Sequence, residues 1–222
     1  MTVAAARVEG AWAGLFGVVG LAGFVTTLDN TVVTVAVPTM RRELGARLAA
    51  MEWVGTGYVI TFAGLMLAGG RLADLWGRRR VLVVGMAVFS AASLVAGMAG
   101  TVEVLVGARV VQGVGAAMVL PATLAVLAGA GERRRSAGIA VWMASGAAAL
   151  ALGPVVGGYL SEHAHWGWVF LINVPLGAAV IGLALVALPA DPQPSSHSGS
   201  GSRTDAGSGP GGGSRSGPGS GP

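Results

Sequence analysis

The chain of 222 residues contains no cysteine and no lysine, and only 11% of it is charged. Without cysteine there is no disulfide framework and no thiolate chemistry. The three histidines, His163, His165 and His197, have no ligand spacing with acidic residues, so no metal is expected. No nucleophile triad and no phosphate-cradling loop stands in a usable context, so neither an enzyme nor a cofactor is expected. All 14 basic residues are arginine, and the net charge is +4. A basic balance can mark a nucleic-acid binder. Here the arginines stand beside apolar runs, where they set membrane topology, so no nucleic-acid partner is expected.

What the chain does have is apolar sequence. It is 53% hydrophobic, with a mean hydropathy of +0.70, values of an integral membrane protein that sits in a lipid bilayer. A helix rising about 1.5 Å per residue needs about 20 residues to cross about 30 Å of hydrocarbon, and the apolar runs have that length. Alternation of period two is weak and the runs are too long for strands, which favours helices over a barrel. Hydropathy predicts an all-α, polytopic protein with six transmembrane helices over residues 12–188. The first runs from Ala11 to Val37 and ends at Pro38; it is too long for a signal-peptide core and is read as a retained span. The others run from Trp53 to Ala73, Val81 to Ala99, Val104 to Leu127, Ala137 to Leu160 and Trp166 to Leu188. Residues 1–11 form a short N-terminus. Residues 189–222 are almost wholly Gly, Ser and Pro, with Arg203, Asp205 and Arg215 scattered among them. Such a tail cannot bury enough apolar surface to fold and is expected to be disordered.

The spans are arranged around one polar stretch, Gly70-Arg71-Leu72-Ala73-Asp74-Leu75-Trp76-Gly77-Arg78-Arg79-Arg80-Val81-Leu82. So short a connection joins neighbouring spans as a tight hairpin. Its glycines allow the turn, and its arginines must stay in water or among headgroups. Arg7, Arg71, Arg78, Arg79, Arg80, Arg133, Arg134 and Arg135 fall on one side of the membrane, and Arg41, Arg42 and Arg47 on the other. The richer side should be cytoplasmic, which makes this a multi-pass protein of the cell membrane with both termini in the cytoplasm. The spans also divide into three and three, the pattern of an inverted repeat.

Two ionisable residues lie inside spans. Asp29 is costly there unless it is paired, protonated or facing water, so it marks a functional site by default; the structural alternative is a capping or packing Asp near the outer interface. Arg109 cannot shed its proton and needs an acceptor or the interface, which it could reach by snorkelling. Gln112 lies one turn along the same face. A salt bridge between Asp74 and the Arg78–Arg80 cluster is sterically easy across the hairpin. Gly146, Gly153, Pro154, Gly157 and Gly158 weaken the fifth span, and small residues let helices approach closely. Trp53, Trp166 and Trp168 sit at span ends, where their rings favour the interface. Tyr58 and Trp142 fall within spans, either facing a substrate or packing on neighbours.

Several of these stretches resemble the major facilitator superfamily, in particular its drug–proton antiporter branch with fourteen spans. Residues 70–82 match the family's loop Gly-x-Leu-Ala-Asp-x-x-Gly-Arg-Arg-x-x-Leu. Leu28 to Pro38 resembles the branch's first-span motif. Leu105 to Ala117, with Arg109, Gln112, Gly113 and Gly115, resembles the fourth-span motif. Gly146 with Gly153 to Gly158 resembles the fifth-span antiporter motif, and Trp166 to Gly177 the start of span six. The chain has Trp166-Gly167-Trp168 where the family usually has Trp-Arg-Trp, and the family's second half is missing from it. The resemblance implies one six-span half of a transporter that exports small amphipathic compounds or drugs in exchange for protons. It implies proton coupling or a substrate path at Asp29, Arg109 and Gln112. It implies a conformational latch at Gly70, Asp74, Gly77, Arg78 and Arg79, and antiport at the glycine motif. A homodimer or a second transporter half would complete the substrate path. The alternative is a truncated, non-transporting fragment or a membrane interaction module.

Overall fold

The computed structural model describes the backbone of residues 3–189 and the side chains of residues 12–189. The expected disorder of the tail falls on residues outside that range. The described residues form helices joined by short turns: α1 (Val3–Glu43), α2 (Leu48–Trp76), α3 (Arg78–Gly97), α4 (Val102–Ala128), α5 (Glu132–His163), α6 (Trp168–Leu171) and α7 (Asn173–Ala187). Taking α6 and α7 as one broken span, six helices among the described residues are long and apolar enough to cross a membrane.

Helix boundaries depart from the hydropathy reading in three places. Helix α1 does not end at Pro38 but continues through it to Glu43. Proline removes one donor from a helix, yet in a bilayer the remaining backbone groups have no partners except within the helix, so winding continues. The hairpin between α2 and α3 is a single residue, Gly77, at φ +98°. That backbone conformation is nearly confined to glycine. Gly70, by contrast, takes no part in the turn: it lies within α2, facing Pro121 of α4. The last span breaks at Ile172. Pro175 then falls in the first turn of α7, where its missing N–H costs nothing.

Packing joins the helices in the lateral order α5, α1, α7, α3, α4, α2, with α1 and α4 also touching across the middle. Buried apolar side chains form two separate cores. One contains Val18, Val25, Leu82, Phe89 and Val119, and the other Leu28, Val33, Val54, Leu105 and Phe170. Along α1 and α3 the first core ends before the second begins, and along α4 the second ends before the first begins. The cores are therefore stacked along the bundle, and a layer of polar residues lies between them. Trp166 belongs to the second core, edge-on to Phe170, and is buried. It is not an interface anchor as expected; Trp53 and Trp168 are exposed.

The bundle ends differ in charge. At one end Arg79 Nη2 donates to the carbonyl of Leu185 at 2.7 Å, and the Arg134 guanidinium lies 3.9 Å from the Trp12 ring. At the other, His165 and Glu43 approach to 3.4 Å, both exposed.

Candidate functional site

Between the two cores, α1 and α4 bring Asp29 against Arg109. Both side chains are wholly buried, and the Arg109 Nη1 and Asp29 Oδ2 atoms form an ion pair. Gln112, one turn on from Arg109, accepts from Arg109 Nη1 through Oε1 at 3.0 Å. Through Nε2 it donates to Asp29 Oδ1 at 3.2 Å and to Ser93 Oγ of α3 at 2.7 Å. Ser93 in turn donates to the carbonyl of Phe89. Asn173, the first residue of α7, donates through Nδ2 to Asp29 Oδ1 at 2.7 Å. Arg109 Nε donates to the carbonyl of Val54 on α2 at 3.0 Å, and Nη2 reaches Asn30 Oδ1 at 3.5 Å. The Tyr58 ring covers the guanidinium, 4.3 Å from its carbon, with Phe170 on another side at 5.8 Å.

Burying either charge alone in hydrocarbon would cost several kcal/mol, so the pair and its hydrogen bonds are what allow both to lie inside the spans. Asp29 does not cap a helix end, and Arg109 does not snorkel to an interface. Sequence reasoning brought Asp29, Arg109 and Gln112 forward and missed Ser93 and Asn173. Both are neutral and sit in ordinary span context. The available signal was weak: Asn173 is one of two asparagines in the chain, and it stands two residues before a proline.

A cavity of about 370 Å³ opens beside the cluster, between α1 and α5 on one side and α2 and α4 on the other. Asn30, Thr27, Tyr58, Phe62 and Trp142 line it. Tyr58 thus backs onto Arg109 and fronts the cavity, while Trp142 is half-buried against Gly23. Among the described residues no group of His, Asp and Glu is arranged to hold a metal ion.

The other sequence-marked residues lie apart from this cluster. Asp74 is exposed at the end of α2 and makes no ion pair with a described residue, so the expected bridge across the hairpin is not formed. A one-residue turn starts α3 immediately, and its arginines reach neighbouring helix ends instead. Arg79 meets the last turn of α7, and Arg78 Nη1 lies beside Gly129 at the end of α4. Cations are favoured at these carbonyl-rich C-termini. The glycine motif of α5 divides by face. Gly153 lies so close to Thr31 of α1 that a side chain there would collide, a Cβ at Gly157 would crowd the Val32 backbone at 3.0 Å, and Gly146 faces Thr27 more loosely. Thr31 Oγ1 also donates to the carbonyl of Ala149 at 3.4 Å. Pro154 and Gly158 face outward, and nothing lies near Gly158.

The family model described as Major Facilitator Superfamily matches residues 19–215. The methylenomycin A resistance protein of Bacillus subtilis is 42% identical over 181 residues, covering 81% of this chain and 39% of that protein. The multidrug efflux pump LfrA of Mycolicibacterium smegmatis is 40% identical over 190 residues, covering 83% and 37%. The cephamycin export protein CmcT of Amycolatopsis lactamdurans is 41% identical over 165 residues, covering 73% and 34%. The chain therefore spans less than two fifths of these curated relatives. Among solved structures, a D-xylose–proton symporter superposes with a TM-score of 0.67 at 15% identity, over 81% of this chain and 48% of that one. A bacterial homologue of the lysosomal transporter Spinster gives 0.62 at 18% identity, over 83% and 44%. The fold matched is that of half a transporter, and with the family match over most of its length this chain belongs to the Major Facilitator Superfamily.

Proposed function

We propose that the chain acts as one six-span half of a proton-coupled exporter of small amphipathic compounds, with Asp29 taking up and releasing the proton. The observation that carries this reading is the Asp29–Arg109 pair, buried between two apolar cores. Arg109 stays charged at any physiological pH, so protonating Asp29 turns a neutral cluster into a net positive one. The contact between α1 and α4 then loses its central attraction, which gives the proton leverage over helix packing. The relatives named for drug efflux and antibiotic export support the direction and the substrate class.

The cavity beside Tyr58 and Trp142 forms one wall of the substrate path, its aromatic faces suited to a lipophilic cation. A second six-span half supplies the opposite wall. The arginine-rich end, with Arg78 to Arg80 and Arg133 to Arg135, faces the cytoplasm. There Gly70, Asp74, Gly77, Arg78 and Arg79 act as a latch, in which Arg78 and Arg79 make the contacts with helix ends. Of the glycine motif, Gly146, Gly153 and Gly157 set how closely α5 follows α1, while Pro154 and Gly158 lie on its outward face.

The test is proton-driven efflux of a fluorescent cationic dye from vesicles containing this chain, beside Asp29→Asn. Efflux that needs a proton gradient and disappears in the variant is the expected result. Efflux unchanged in Asp29→Asn would overturn the assignment of the proton to Asp29. The outward apolar surfaces of α2 and α5, only 22% and 11% buried over their most apolar stretches, favour a second reading: a membrane interaction module that docks another chain. Inserted protein that moves no member of a panel of cationic and neutral dyes would leave that reading standing.

A further inference from the structure

Asp29 is bonded to donors only. Arg109 Nη1, Gln112 Nε2 and Asn173 Nδ2 all present N–H groups to its oxygens, the set a carboxylate needs. A protonated Asp29 carries an O–H that requires an acceptor, because a buried donor left without a partner keeps its full desolvation cost. Few acceptors are within reach. The Gln112 carboxamide could turn its oxygen round only by giving up its bonds to Arg109 and Ser93. The Ser93 hydroxyl already donates to Phe89 and accepts from Gln112. Asn173 differs from both. Its carboxamide oxygen is buried and has no hydrogen-bond partner among the described residues, and its nitrogen bonds only to Asp29. Rotating this side chain by half a turn sacrifices one bond, the one that protonation of Asp29 would itself weaken.

We propose that Asn173 is the proton-state partner of Asp29. It donates through Nδ2 to the carboxylate and, after rotation, accepts through Oδ1 from the protonated carboxyl. The inference rests on the reading of Asp29 as the proton-binding group. A proton from water converts the carboxylate to a carboxyl, the new O–H donates to Asn173 Oδ1, and no other bond is made or broken covalently. The charged or titratable groups facing Asp29 are Arg109 from α4 and Tyr58 from α2; Ser93 from α3 and Asn173 from α7 are neutral, and those of α5 lie towards its ends. Asn173 opens α7 immediately after the break at Ile172. The charge state of Asp29 is thereby read at a joint in the last span, 144 residues away in sequence.

The composition makes the test direct, since Asn30 and Asn173 are the only asparagines in the chain. Asparagine labelled with ¹⁵N at the side-chain nitrogen, in the full chain held in lipid nanodiscs, gives two carboxamide signals, and Asn173→Leu assigns them by loss of one. Infrared difference spectra of the same samples follow the Asp29 carboxyl through a band absent from Asp29→Asn. On acidification the Asn173 signal is expected to shift together with that band. A carboxyl band that appears while the wild-type Asn173 signal does not move would overturn the role of Asn173 and leave Asp29 as the proton site. No carboxyl band from Asp29 across the whole pH range would overturn both. The key comparison is made on wild-type protein, so it survives if Asn173→Leu fails to fold.

Discussion

Arg109 holds more of the buried cluster together than any other side chain, with bonds to α1, α2 and its own helix. Replacing it by glutamine would leave Asp29 with no cation. Removing one member of a buried ion pair costs about 3–5 kcal/mol, so Arg109→Gln is expected to lower the thermal unfolding midpoint sharply in detergent. Adding Asp29→Asn should recover part of that loss, because the double variant buries no charge. A double variant no more stable than Arg109→Gln would show that the unpaired carboxylate is not what destabilises the single variant. Asp29 and Arg109 were legible because a charge inside an apolar run is expensive and so needs a reason. Asn173 and Ser93 were not, because a small neutral polar side chain within a helix is cheap: Ser93 bonds its own helix at Phe89, and nothing in its spacing points to Gln112.

The α1–α5 contact is the clearest case of a sequence motif acting at the level of the element. Gly153 and Gly157, one helical turn apart, let α5 lie directly on Thr31 and Val32, whereas Gly158 meets open space. Valine at position 153 or 157 is expected to destabilise the protein by about 1–3 kcal/mol through overpacking, read as a fall in the unfolding midpoint. Alanine at 158 should leave the midpoint unchanged. Equal losses at all three positions would mean that the glycines act through backbone flexibility and not through contact. That the fifth span was rich in glycine could be read from the sequence. Which glycines touch a partner could not, because the helices are apolar on most faces. Lipid and protein core are equally apolar solvents, so hydrophobic periodicity does not mark the inward side.

For the whole molecule, the asymmetry of arginine between the two ends predicts orientation. The lack of cysteine makes this easy to measure with single introduced thiols. A membrane-impermeant maleimide applied to intact cells should label Ala49→Cys, beside Arg47, and should label Ser136→Cys, beside Arg135, only after the cells are opened. The reverse pattern would overturn the placement of the arginine-rich end in the cytoplasm. Both positions are exposed and neither replaces a charge, so the probes leave the topological signal intact.

Span number, helix class and the gathering of arginine at alternate turns were determined by the sequence alone. They depend on free energies of transfer that add up residue by residue along a stretch about as long as the membrane is thick. Helix ends followed less closely, since Pro38 and the break at Ile172 turn on whether backbone groups find partners in their surroundings. Only the tertiary structure decided that Asp29 meets Arg109 across 80 residues and Asn173 across 144. It also decided that Arg78 and Arg79 turn to helix ends and away from Asp74. Those pairings depend on which faces of α1, α4 and α7 are brought together. The faces are chosen by close packing among helices whose sequences are nearly uniform in polarity, and that information is spread over the whole bundle and absent from any single span.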